Sequence, residues 1–505
     1  MIRCVFALVL LAQLAAAQDI LVVTPKEFGP ALADWRAHRA AQGHAIAVAE
    51  PGKDVGAVVK ARWKRSGGKL RFVLIVGDVN AVPCAYVMAQ AINAYERDPR
   101  IATDNAYADF DGDHIPDLAI GRMPARTPEE AKALLSKVIA YETSKDFTRW
   151  RRKVNLIAGV GGFGVMQDWA IETLTNMLLR DNVPLRYEVS LTYGSPKSPY
   201  CPHPRDFAGV ALERFNEGAL FVAYVGHGHA TGVDEIRYEG KRYPILAKQH
   251  LPLIESKHGA PISVFLACST GKYDGKKECL AVEILRRPRG PVAIIASSRV
   301  SMPYANGMFA KEILDAAFIG EAETLGELMV RAKRRLVTPD QNDERRRLIE
   351  TIAATFYKPT DPKGRAVERR EHVHLYNLLG DPAMRIPRPA ALTVTCAQEI
   401  SAGKRLKIVG ESSMAGDLLV ELARMRSAPV SPRPAGDKSR KAFNRVYRDA
   451  NNRIVSAFVS KMKAGRFEVV LPVRETVAPG DYVVRLFLTG EDGAAAGARK
   501  VKVIQ

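Results

Sequence analysis

The chain has 505 residues, 47% hydrophobic, 26% charged and 7% aromatic, which is ordinary globular composition and enough for about three domains. That excludes a mostly disordered chain, a collagen-like chain and a coiled-coil rod. Lysine and arginine exceed aspartate and glutamate by 74 to 55, a net charge of +19, but the basic runs are scattered. None is interleaved with the aromatics that stack on single strands, and no zinc finger is present, so no specific nucleic-acid partner is expected.

The first residues read as an export signal. Arg3 precedes an apolar run from Cys4 to Leu14, and Ala15-Ala16-Ala17 supplies a small-residue cleavage site before Gln18. The run is too short to span a bilayer, and no later stretch is long and apolar enough to do so. Residues 1–17 are therefore expected to be a signal peptide, and the protein secreted or held at the cell surface. Beyond it lie five cysteines, Cys84, Cys201, Cys268, Cys279 and Cys396. An odd count in an oxidising compartment leaves at least one thiol unpaired.

From residue 18 to 146, apolar strands alternate with helices. Ile20 to Thr24, His44 to Glu50, Phe72 to Asp78 and Asp117 to Arg122 read as strands, and Phe28 to Gln42 and Lys60 to Ser66 as helices. Continuous apolar strands separated by helices indicate a parallel sheet covered on both faces. Thr127-Pro128-Glu129-Glu130 is a helix start with a capping box. A second α/β unit occupies 147–388, with strands at Val154 to Ala158, Leu185 to Val189, Ala219 to Val225, Ile262 to Ala267 and Val292 to Ala296. Helices there include Asp168 to Arg180 and Asp206 to Asn216. From 389 to 505 short β-rich runs separated by turn residues have the spacing of an antiparallel sandwich. Within this third unit, Ser427 to Lys441 is expected to be a mobile loop.

Ligands of open parallel sheets meet the carboxyl ends of strands, and two such ends carry reactive groups. One strand runs into Gly226-His227-Gly228-His229; another, one parallel crossover later, runs into Cys268-Ser269-Thr270-Gly271. If the strands are neighbours, an imidazole and a thiol share one sheet edge, as nucleophilic cysteine chemistry requires. The bland alternatives are a small buried cysteine and a glycine-rich turn. Metal binding by the two histidines lacks a nearby acidic third ligand.

This arrangement resembles the caspase-like clan of cysteine peptidases and, within it, the gingipain-type family. Val76-Gly77-Asp78, Ile120-Gly121-Arg122, Tyr224 to Gly228, Ala267-Cys268, Val292 to Ser297 and Gly380-Asp381-Pro382 follow the family's order over about Ile20 to Pro387. The resemblance implies two caspase-like parallel-sheet subdomains followed by an immunoglobulin-like β-sandwich. It also implies endopeptidase activity on polypeptides, with no cofactor required and a monomeric state. Cys268 would be the nucleophile and His227 the general acid/base, with the N–H groups of Gly228 and Cys268 holding the oxyanion; His229 would line the cleft. Where arginine-cleaving relatives place a Glu that orients the histidine, this chain has Val160-Gly161-Gly162, so a backbone carbonyl or a group from elsewhere is expected to hold the ring. Asp168 stands where those relatives read a basic side chain, and is equally suited to capping a helix. Tyr304 is a candidate pocket wall. The rivals are a non-catalytic surface-binding protein of the same fold and a transpeptidase-like variant.

Asp109, Asp111, Asp113 and Asp117 fall within nine residues around Gly112. The twelfth place from Asp109 is Ile120, so the segment is not an EF-hand. A bent loop holding calcium as a structural ion, with Asp104 as a further ligand, is the expectation; a polar turn is the alternative.

Overall fold

The computed structural model describes residues 18–92, 98–161, 177–178, 180–338, 340, 342–356 and 361–505. The proposed signal peptide and Asp168 lie outside the described residues. Ten strands form one sheet: β1 (Ile20–Val23), β2 (Ile46–Ala49), β3 (Phe72–Val76), β4 (Ala119–Met123), β5 (Lys153–Ala158), β6 (Glu188–Tyr193), β7 (Phe221–Val225), β8 (Ile262–Leu266), β9 (Ala293–Ser297) and β10 (Tyr376–Leu379). Their order is β2-β1-β3-β4-β10-β9-β8-β7-β5-β6.

The expected subdomains are thus two halves of one sheet. Strands β2, β1, β3, β4 and β10 run parallel, as do β9, β8, β7, β5 and β6, and the halves meet at the antiparallel pair β9–β10. Most central strands are buried along their whole length, which explains their unbroken apolar sequences. Strand β10 and the helices Pro303–Leu314, Leu325–Val337, Glu344–Phe356 and Pro362–Leu375 were not read from the sequence.

Two of the sequence motifs tie the first half of the sheet to its helices and to the turn after β10. The Arg122 side chain is fully buried, pairs with Asp104 at 2.7 Å, and donates to the carbonyls of Gly77 at 2.9 Å and Val82 at 2.7 Å. The buried Asp381 accepts from Trp35 Nε1 and Arg39 Nη2, each at 2.6 Å. A Cβ on Gly121 would come within 2.4 Å of the Gly380 carbonyl, so only glycine lets β4 approach the 380–382 turn. Thr127 caps Pro128–Glu142 as expected; Glu130, however, reaches back to the Arg126 N–H at 2.9 Å.

Residues 390–504 form a six-stranded and a three-stranded sheet with a core of their own. The helix Arg440–Asn451, which takes in the last two residues of the expected loop, docks this unit on the edge strand β6. There the Asn451 side chain accepts from Leu191 N–H at 2.8 Å and donates to Leu191 C=O at 3.0 Å. One amide so satisfies both backbone groups of an edge residue.

Candidate active site

Strands β7 and β8 are parallel neighbours with Val225 opposite Leu266, so His227 and Cys268 leave the sheet at the same edge. Both line one cavity, whose described walls include Ala158, Val225, Leu266, Ser301 and Asn306. Among the described residues this lining carries no carboxylate.

The loop after β7 is built around glycines and a half-buried acid. Asp234 Oδ2 accepts from Val160 N–H at 3.1 Å and His227 N–H at 3.3 Å, and the Tyr224 hydroxyl donates to the His227 carbonyl at 2.9 Å. A Cβ on Gly159 would fall 2.2 Å from Asp234 Oδ2, which accounts for glycine where β5 ends. Burial raises the Asp234 carboxyl above its ordinary value, against the opposing pull of His227 and the two N–H donors.

The His227 ring is held by a main-chain group. Its Nε2 lies 2.9 Å from the carbonyl oxygen of Gly161. A carbonyl only accepts, so Nε2 carries the proton and Nδ1 is the basic nitrogen of the neutral ring. The next residue, Gly228, is pressed onto the nucleophile segment. A Cβ there would meet Ala267 Cβ at 2.8 Å, the Cys268 carbonyl oxygen at 2.9 Å and Thr270 Cγ2 at 2.9 Å.

Cys268 sits before a strained turn: Ser269 adopts φ +55°, a left-handed conformation uncommon for a side chain of its kind and typical of functional sites. Cys268 Sγ lies 3.4 Å from both the amide nitrogen and the carbonyl oxygen of Ser301. The Ser301 N–H therefore points at the sulfur and the thiol in turn donates to the Ser301 carbonyl, so the backbone of one residue holds Sγ in place. Beneath it is a buried polar chain, in which Tyr376 Oη donates to Asn306 Oδ1 at 2.6 Å and Asn306 Nδ2 donates to Ser301 Oγ at 3.0 Å. His372 Nε2 accepts from Met302 N–H at 3.0 Å, and its Nδ1 donates to the Glu368 carbonyl at 2.7 Å. Those two partners fix a neutral ring, and burial pushes His372 down to about 4.

The other thiols are unlike Cys268. Cys84, Cys201, Cys279 and Cys396 are free thiols. Burial pushes Cys84 up to about 11 and both Cys201 and Cys279 up to about 12, and raises Cys396 as well. They stay protonated and weakly nucleophilic at neutral pH.

Two expectations need correction. Tyr304 does not wall the cavity; it is buried, with its hydroxyl 2.6 Å from Glu350 and contacted by Arg369. Its neighbours Pro303, Asn306 and Gly307 line the cavity instead. In the acidic loop only Asp109, Asp111 and Asp117 converge, with oxygens within 4.8 Å of one another. Asp113 turns to accept from Ile115 N–H at 2.7 Å, and Asp104 is committed to Arg122. Burial raises the Asp117 carboxyl, and the charges of Asp111 and Asp109 add to this.

Asp234, Ser301, Asn306, His372 and Tyr376 were missed. The signal for Ser301 was the serine-rich run Ser297 to Ser301, at the end of a buried strand on the edge that carries Cys268.

The model of peptidase family C25 matches residues 13–387. Gingipain R2 of Porphyromonas gingivalis is 26% identical over 259 residues, 50% of this chain and 31% of the relative. Lys-gingipain W83 of the same species is 25% identical over 293 residues, 55% of this chain and 15% of the relative. The chain spans well under half the length of the curated relatives it matches. The crystal structure of the Arg-specific cysteine proteinase gingipain R shares the fold, with a TM-score of 0.54 at 16% identity over 97% of this chain and 98% of that one. With a family match across most of its length, the chain belongs to peptidase family C25.

Proposed function

We propose that this protein is an exported cysteine endopeptidase that cleaves polypeptides through a thioester on Cys268. The observation that carries the reading is the placement of Cys268 and His227 at the ends of neighbouring parallel strands, on one cavity. The Cys268 thiol gives its proton to His227 and the sulfur attacks the scissile carbonyl, forming a carbon–sulfur bond as the carbonyl π bond opens to the oxyanion. The N–H groups of Gly228 and Cys268 hold the oxyanion, a contribution worth about 10²–10³ in rate per donor. Collapse expels the amine, which takes its proton from His227. Water, deprotonated by His227, then attacks the thioester and releases the acid and the thiol. The Gly161 carbonyl does the orienting that a carboxylate does in other acyl-transfer sites.

Asp168 reads a basic side chain before the cut. Residues 1–17 direct export, and the C-terminal unit is an immunoglobulin-like sandwich. Asp109, Asp111 and Asp117 hold a structural calcium ion, whose charge offsets the repulsion that raises Asp117. The test is cleavage of an unfolded protein and of peptide libraries by the purified chain, compared with Cys268→Ala and His227→Ala. Both variants should lose at least about 10³-fold in kcat/KM. Cleavage that persists in Cys268→Ala would refute the mechanism.

A further inference from the structure

Beside the cavity, a groove runs along the far side of His227. It is lined by His227, Gly228, Ser195, Glu235, Arg237 and Arg242, among others, and Cys268 is not part of it. Its floor is the hairpin Glu235–Tyr238 and Lys241–Pro244, in which Arg237 lies directly opposite Arg242. Ile236 faces inward at 1% exposure, and alternation turns Glu235 and Arg237 outward. Through His229 and Glu235 the groove continues past Lys248 and Lys277.

Along the whole groove cations outnumber acids: Arg237, Arg242, Lys248 and Lys277 against Asp234 and Glu235. Asp234 is occupied by backbone N–H groups. Glu235 makes one loose pair with Arg242, at 3.7 Å, and Lys248 is paired with Glu283. Arg237 and Lys277 have no ion-pair partner among the described residues. Like charges directly opposed across a hairpin, with Cα atoms roughly 5 Å apart, destabilise it, and an anion bridging the two guanidinium groups removes that repulsion with charge-assisted hydrogen bonds.

We propose that this groove binds the leaving-group half of the substrate and selects for aspartate or glutamate in the first several residues after the cut. The direction along the substrate rests on the endopeptidase reading, whereas the charge preference does not. The acyl half remains on Cys268, in the first cavity, while the departing amine receives its proton from His227, the residue common to both spaces. The leaving chain therefore exits over His227 into the cationic groove.

The test uses full-length Cys268→Ala protein and fluorescein-labelled decapeptides of glycine with Asp/Glu, with Lys/Arg, or with serine, read by fluorescence anisotropy. The acidic peptide should bind about tenfold more tightly than the others, and Arg237→Glu/Arg242→Glu should abolish the difference. Lys461→Glu/Lys463→Glu changes the net charge equally on an exposed strand of the C-terminal unit and should keep affinity within about twofold. Equal losses in the two double variants would overturn the proposal, since bulk charge would then explain the binding. In the active protein, acids after the cut should raise kcat/KM and the same acids before the cut should not; the reverse pattern overturns the assignment of direction. Charge-selective binding without any cleavage refutes the endopeptidase reading while upholding the groove. Cleavage without charge-selective binding refutes the groove alone.

Discussion

Gly228→Ala probes the contact between the histidine loop and the nucleophile. The added methyl group would sit 2.8 Å from Ala267 Cβ and 2.9 Å from the Cys268 carbonyl oxygen, against a normal separation of about 3.5–4.0 Å. Neither neighbour is the end of a flexible side chain, so the backbone must yield by roughly 0.5–1 Å. Overpacking of this kind costs about 1–3 kcal/mol of stability. A displacement of that size moves the Gly228 N–H off the oxyanion and shifts His227 relative to the sulfur, lowering kcat/KM about 10²–10³-fold. Steady-state kinetics on a peptide amide and chemical denaturation read the two effects separately. Gly209→Ala is the control: it lies in the helix Phe207–Asn216 with nothing within 4 Å of the new Cβ, and should leave activity unchanged while stabilising slightly. A folded Gly228→Ala enzyme with kinetics indistinguishable from wild type would refute the reasoning.

His372 gives a pH prediction. Its folded-state value is depressed to about 4 from 6.5, so the unfolded chain binds the proton first. The associated stability is fully present above about pH 6.5, is lost as pH falls through the window down to about 4, and amounts to roughly 3 kcal/mol; His372→Gln should flatten that part of the denaturation profile, and an unchanged acid limb would contradict a buried neutral ring. Glu421 is fully buried with Arg152 at 2.9 Å and Arg485 at 3.1 Å. Glu421→Gln leaves those guanidinium groups uncompensated, and urea unfolding should show a loss of about 3–5 kcal/mol; a loss under about 1 kcal/mol would mean the ion cluster does not tie the C-terminal unit to the segment leading into β5. Saturating calcium should raise Tm, by the equivalent of about 2.7 kcal/mol at a hundredfold excess over Kd, and Asp111→Asn should abolish the shift. Identical melting in calcium and in chelator would remove the ion from the account.

The parts of the fold legible in the sequence were those governed by local periodicity and by motifs. Most apolar strands of both halves and the Thr127 cap were found, although the strand expected at Leu185 to Val189 lies at Glu188–Tyr193, and the cysteine and histidine at two strand ends pointed to the site because a parallel crossover brings such ends together. What the sequence hid was set by long-range packing. Strand β10 is four residues long and follows a helix without a break, and its role as the seam depends on pairing with Ser297 and Arg122, far away in the chain. Tyr304 looked like a pocket wall because it follows β9, but the helix beginning at Pro303 rotates it toward Glu350. Asp113 shares its spacing with the converging acids, yet the turn at His114, with φ +73°, points it elsewhere. A backbone carbonyl was among the expected holders of the His227 ring, but which one could be named only from the fold, since no residue type announces the Gly161 carbonyl.

The most direct measurement is to locate the acyl group itself. Incubation with a slowly deacylating peptidyl ester, followed by acid quench and peptide mass mapping, should place a single thioester on Cys268, absent in Cys268→Ala and slow to form in His227→Ala. An adduct on Cys84, Cys201, Cys279 or Cys396, or the same rate of acylation without the imidazole, would contradict the account.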